Sequence, residues 1–225
     1  MNPATRVAAV RERIAAACAR VGRDPAEVVL IGVSKSQPAA AVQAVVDQGV
    51  TILGEARVQE ARAKRPHLSG VTELHLIGRL QRNKASAAVA LFDLIHSLDR
   101  LPLANALAAA AAAAGKRQRC LVQVNVGREP QKGGVLPEAL ATLWKAVAAL
   151  PELVVEGIMA VPPYALEAEQ ARPTFCAAAR LARELEQQSG RPLRLSLGMS
   201  HDFEVAIEEG AHWLRVGTAL FGERG

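Results

Sequence analysis

Eight short apolar runs, separated by helix-forming stretches, leave few folds open to this chain. Strands are expected at Val28–Ser34, Thr51–Gly54, Glu73–Gly78, Asp93–Ser97, Arg119–Val126, Leu153–Ala160, Leu193–Gly198 and His212–Gly217. They read as nearly continuous β-rich segments, as parallel strands buried on both faces should. Helices are expected at Pro38–Gln48, Arg57–Lys64, Asn83–Leu91, Leu101–Ala114, Leu136–Leu150, Glu167–Gln188 and His201–Glu209, with one more, Pro3–Val21, before the first strand. Gly49, Gly115, Gly190 and Gly210 stand just past helix ends, and Pro66 and Pro151 close two others, the stop signals of helices. Eight strand–helix units with no long linker predict a (β/α)₈ TIM barrel of the α/β class with an extra N-terminal helix. An open doubly wound sheet is the alternative. It would want a glycine-rich turn after the first strand, where this chain has Ser34-Lys35-Ser36-Gln37-Pro38 instead.

At 225 residues the chain is expected to form one domain over residues 1–225. Lys and Arg number 27 against 22 Asp and Glu, a formal charge of +5. Basic residues alternate with acids along helices, only Lys116–Arg119 is locally dense, and aromatics make up 3%, so no stacking surface for single strands is expected and no nucleic-acid partner. A small anionic ligand suits this modest positive field. No run is long and apolar enough for a membrane span. The three cysteines, Cys18, Cys120 and Cys176, are scattered, which suggests free thiols and a cytoplasmic setting. A monomer is expected.

In a barrel, chemistry sits at the C-terminal ends of the strands. The first strand ends on Lys35, where partial burial at the mouth of an apolar tube would free an amine for Schiff-base formation. The seventh strand runs into Ser200, read here as a cap for the helix that follows, and the eighth into Gly217 and Thr218. Together they make a candidate phosphate cradle. Arg215 lies inside the last strand among apolar neighbours, and a buried guanidinium must find an acceptor. An amine for an aldehyde, a cradle for a phosphate and a guanidinium for a ring nitrogen point to pyridoxal 5′-phosphate (PLP). A Schiff-base aldolase acting on a phosphorylated sugar is a further reading of the same residues.

The chain also resembles the pyridoxal phosphate homeostasis proteins, single-domain relatives of the alanine racemase N-terminal barrel, over essentially its whole length. The matching segments include Gly32–Pro38, Leu53–Glu60, His75–Lys84, His96–Arg100, Gln123–Val126, Gly157–Pro163, Leu197–Asp202 and Val216–Gly222. The resemblance implies that Lys35 carries PLP as a Schiff base, that Ser200, Gly217 and Thr218 hold the phosphate, and that Arg215 faces the pyridine nitrogen. It also places Asn125 and Met199 near the ring. It implies a role in buffering and delivering PLP, with apo PLP-dependent enzymes as partners. The chain departs from the family at Ala56, where Asn is usual, and at Gly127, where Ser is usual. The first predicts a lost polar contact at the cofactor's edge and the second a looser loop.

Robust catalysis is not expected. Arginine, unlike a carboxylate, does not keep a proton on the pyridine nitrogen, so the ring is a weaker electron sink. The only tyrosine, Tyr164, is read as a loop residue and Lys132 as a loop lysine, with contact to a transient ligand at the mouth as its alternative role. His75 and His96 are read as hydrogen-bonded barrel histidines, and no metal-ligand spacing is present. A PLP-dependent amino-acid racemase or decarboxylase of the same barrel type is the alternative function.

Overall fold

A computed structural model of the chain describes residues 2–163 and 167–222. Its centre is a closed parallel barrel in chain order: β1 (Val29–Val33), β2 (Ile52–Glu55), β3 (Glu73–Leu76), β4 (Leu94–Leu98), β5 (Gln118–Val124), β6 (Leu153–Ala160), β7 (Arg194–Ser196) and β8 (Trp213–Val216). β1 closes on β8, with Ile31 beside Arg215 and Gly32 beside Val216. Around it lie α1 (Pro3–Arg20), α2 (Ala39–Val46), α3 (Val58–Lys64), α4 (Ala85–Leu91), α5 (Leu101–Ala113), α6 (Pro137–Ala148), α7 (Arg172–Ser189), α8 (Phe203–Glu208) and α9 (Thr218–Phe221). The architecture is the expected (β/α)₈ barrel with its N-terminal helix.

Alternation along each strand creates two cores. Outward residues pack on the helices in one large apolar cluster. Ile31, Leu94, Leu121, Met159 and Trp213 fill the lumen. Polar groups share that lumen: His75, His96, Ser196 and Arg215 are all buried. α1 starts where Asn2 accepts a hydrogen bond from the Thr5 amide at 2.8 Å, and it packs on α2, α8 and α9. Arg13 and Arg20 reach Glu204 and Glu208 on α8 at 2.6 and 2.7 Å.

Boundaries differ from expectation for local reasons. Pro173 has no amide to give, so α7 begins at Arg172 after a short 3₁₀ turn over Ala168–Ala171, rather than at Glu167. The seventh strand ends at Ser196, two residues early, because Gly198 turns the chain at φ +82°. A Cβ on Gly198 would lie 2.7 Å from the Ala206 side chain and 2.9 Å from the Phe203 backbone. That glycine therefore brings the Met199–Ser200 turn close over α8. The short helix α9 was not expected.

Candidate functional site at the barrel mouth

Lys35 is carried on a turn whose support is buried. Behind it, Lys64 of α3 donates to Glu55 at 2.6 Å and to the Ser34 carbonyl at 2.6 Å. The Ser34 hydroxyl donates to the same Glu55 oxygen at 2.7 Å. Lys64 also reaches Glu60 at 3.2 Å, and Glu60 accepts the Ser36 amide. Lys64 and Glu55 are 8% and 1% exposed, so this is an ion pair removed from water. Ser36 is held at φ +60°, unusual for a residue with a side chain. The Lys35 side chain itself is exposed, which corrects the expectation of partial burial. The strand ends at Val33, two residues before the lysine, so Lys35 stands on the turn and not on the strand.

At the neighbouring end of β8, two backbone amides converge. Gly217 and Ala219 donate to the Ser200 hydroxyl at 3.0 and 3.2 Å. Ser200 thus caps the start of α9, not the helix that follows it in sequence. The turn before α8 is tied instead by Asp202, which accepts the Met199 amide at 2.6 Å. Burial raises the Asp202 carboxyl above its ordinary pKa, against the opposing bond from Met199. A Cβ on Gly217 would meet Val33 at 3.5 Å, ordinary contact, so packing inside the protein does not demand a glycine there.

Arg215 forms the floor. It donates to Ser196 at 2.7 Å and to the Ala160 carbonyl at 3.0 Å. Burial lowers its guanidinium to about 10. Lys35, Met199, Ser200, Arg215, Gly217 and Thr218 all line one cavity of about 250 Å³. Val33 and Ile77 add apolar walls, and Gln37 and His201 are polar residues the sequence reading missed. Asn125 is not on this wall: its side chain clamps its own loop, donating to the Glu129 carbonyl at 2.8 Å and accepting the Glu129 amide at 3.1 Å. Its side chain is engaged within that loop. Lys132 is likewise engaged away from the cavity, with the Pro162 carbonyl at 2.7 Å and Glu129 at 2.5 Å. Tyr164 lies outside the described residues.

The departures from the family read differently in three dimensions. Ala56 does not border the cavity but a neighbouring groove of about 710 Å³. At Gly127 a Cβ would come within 3.0 Å of Pro163, so the loop there is tightly packed, not loose. The same groove gathers Arg57, Arg79, Arg82, Lys84 and Arg100. Those cations are dispersed in sequence and converge because they follow the ends of β2, β3 and β4. Although larger, the groove lacks the combination of strand-end lysine, convergent amides and buried guanidinium that marks the smaller cavity.

The donor set suits PLP: an amine, two hydroxyls beside the start of α9, a guanidinium and apolar walls. The family profile described as alanine racemase, N-terminal domain, matches residues 6–225. A pyridoxal phosphate homeostasis protein of Aquifex aeolicus is 44% identical over 226 residues, spanning 100% of this chain and 99% of the relative. One from Pseudomonas aeruginosa is 42% identical, spanning 98% and 95%. The structure of PipY from Synechococcus elongatus, solved with PLP bound, superposes with a TM-score of 0.86 at 38% identity, covering 98% of this chain and all of that one (100%). The chain belongs to the alanine racemase N-terminal domain family and, within it, to the pyridoxal phosphate homeostasis proteins.

Proposed function

We propose that this chain binds PLP reversibly, buffering it and delivering it to apo PLP-dependent enzymes, and acts as one domain over residues 1–225, as a cytoplasmic monomer. The observation that carries this reading is the meeting of Lys35, Ser200, Gly217, Thr218 and Arg215 around one cavity. Bound PLP supplies an aldehyde that a primary amine captures reversibly. Lys35 is the amine for it. Ser200, Gly217 and Thr218 bind the phosphate through hydroxyls and amides, Arg215 donates to the ring nitrogen, and Met199 packs beside the ring. Asn125 contributes by steadying the loop after β5.

Arg215 also supports a carrier over a racemase or decarboxylase. Even lowered to about 10, its guanidinium keeps its own protons near neutral pH and donates a hydrogen bond, not a proton. The exposed Lys35 and Thr218 leave the mouth open to water and incoming amines, which favours release over commitment of a substrate.

Borohydride reduction of the PLP-loaded chain, followed by peptide mass mapping, tests the site. Pyridoxyl on Lys35 is expected, and pyridoxyl elsewhere or on no lysine overturns the assignment. Incubation with D- and L-alanine in deuterated solvent tests the carrier reading. Steady α-proton exchange at enzyme-like rates would make the chain a racemase-type enzyme.

A further inference from the structure

Arg215 is 5% exposed, and among the described residues no carboxylate pairs with it directly. A buried cation without a counter-ion is costly. Its compensation comes through the lumen. The Ser196 hydroxyl, which accepts from Arg215 at 2.7 Å, lies 2.9 Å from His96 Nδ1. His96 Nε2 lies 3.1 Å from His75 Nδ1, and His75 Nε2 lies 2.7 Å from Glu73. Four hydrogen bonds therefore run from the mouth on β8, through β7 and β4, to a carboxylate at the start of β3.

The two ends fix the direction of this chain. A guanidinium only donates and a carboxylate only accepts. Arg215 occupies a lone pair of Ser196, which frees the Ser196 proton for His96 Nδ1. His96 must then carry its proton on Nε2 and give it to His75 Nδ1. His75 carries its proton on Nε2 and gives it to Glu73. One arrangement satisfies every group, with both imidazoles neutral. The charged groups facing the relay are Glu73 on β3, Arg119 on β5 with its partner Glu156 on β6, Arg215 on β8 and Asp202 before α8. Burial, the largest cause, keeps His96 well below the ordinary imidazole pKa, in agreement with a neutral ring.

We propose that Glu73, through His75, His96 and Ser196, is a positioning residue that holds Arg215 aimed at the ring nitrogen of PLP. The relay supplies a remote negative end for the buried guanidinium while leaving a carboxylate away from the cofactor. This extends the PLP-binding reading and rests on it.

The direction of the relay is tested without cofactor or mutation. In the full, PLP-free chain, long-range ¹H–¹⁵N spectra should show His75 and His96 as neutral Nε2–H tautomers. An Nδ1–H tautomer at His96, or an imidazolium at either residue, overturns the relay. Its purpose is tested by Glu73→Gln and Ser196→Ala, titrated separately with PLP and with inorganic phosphate. Each variant should weaken PLP by at least about threefold while phosphate binding is unchanged, because Ser200, Gly217 and Thr218 are not members of the relay. PLP affinity within about twofold of the parent in both variants, or parallel loss of PLP and phosphate, overturns the positioning role. Absence of PLP binding in the parent overturns the functional reading and the relay's link to it, whereas the tautomers report on the relay independently.

Discussion

Lys35 and Thr218 line one cavity from the ends of neighbouring strands with different duties, and substitution separates them. Lys35 offers the covalent contact, while the Ser200 and Thr218 hydroxyls and the start of α9 line the cavity whatever stands at position 35. Lys35→Ala should therefore abolish the visible imine band yet retain phosphate-anchored PLP, measured by absorbance beside equilibrium dialysis. A band of equal intensity in the variant contradicts the assignment. Thr218→Val keeps the shape of the side chain and removes its hydroxyl. The loss is one charge-assisted hydrogen bond, about 1.5–3 kcal/mol, visible as weaker retention on dialysis. Unchanged retention would show that the phosphate does not use this group. The candidates at positions 35, 200, 215, 217 and 218 were legible because strand ends are fixed by local pattern. The exposure of Lys35 was not, because it depends on how a three-residue turn is propped from α3 and β2.

That prop belongs to the scale of the element. Glu55 ends β2 and Lys64 ends α3, and neither looks unusual in sequence. Folded together, they bury an ion pair that grips Ser34 on one side of Lys35, while Glu60 grips Ser36 on the other. Lys64→Met leaves Glu55 charged and buried with its Ser34 bond alone. Such a change should cost about 3–5 kcal/mol, read as a lower urea midpoint. Adding Glu55→Leu should recover much of that loss, since the stranded charge is gone, but not the geometry of the turn. The double variant is thus expected to fold while binding PLP more weakly. A double variant as unstable as the single one would mean that the pair serves packing and not charge balance. Apart from α9, the strands and α-helices were readable because buried parallel strands and amphipathic helices have different periods. Element ends were less so. α7 waits for Pro173, and β7 stops where Gly198 lets the chain approach α8. Ser200 caps across strands, from the loop after β7 to the start of α9, a partnership that no spacing along the chain reveals.

At the scale of the molecule the same limit applies to the lumen, whose polar relay takes one member from each of four strands and adds Glu73 two residues before His75. Barrel closure sets these contacts, and closure has consequences for acid stability. His96 is completely buried, and its folded-state pKa lies well below the ordinary value, chiefly because burial penalises the imidazolium. Below about pH 6.5 the unfolded chain takes up a proton at this ring and the folded chain does not. More protons on the unfolded state means that stability rises with pH through this range and is lost as pH falls. His212 acts in the same direction, also through burial. Glu73, held down to about 2 chiefly by its bond to His75, adds a second loss below the ordinary carboxylate range. Asp202 opposes it: raised by burial, it takes up its proton earlier when folded, so it offsets part of the loss only in the carboxylate range. The urea midpoint should accordingly hold steady from about pH 8 to 7 and fall from about pH 7 to 5, before carboxylates dominate. His212→Asn keeps an acceptor for the Leu195 amide, which His212 Nδ1 now receives at 3.1 Å, and removes the second imidazole. The decline should persist in that variant, since a protonated His96 can no longer accept from Ser196. A midpoint independent of pH across this interval in the variant would mean that the lumen accommodates the charged ring, and that the donor direction between Arg215 and Glu73 is not enforced by the fold.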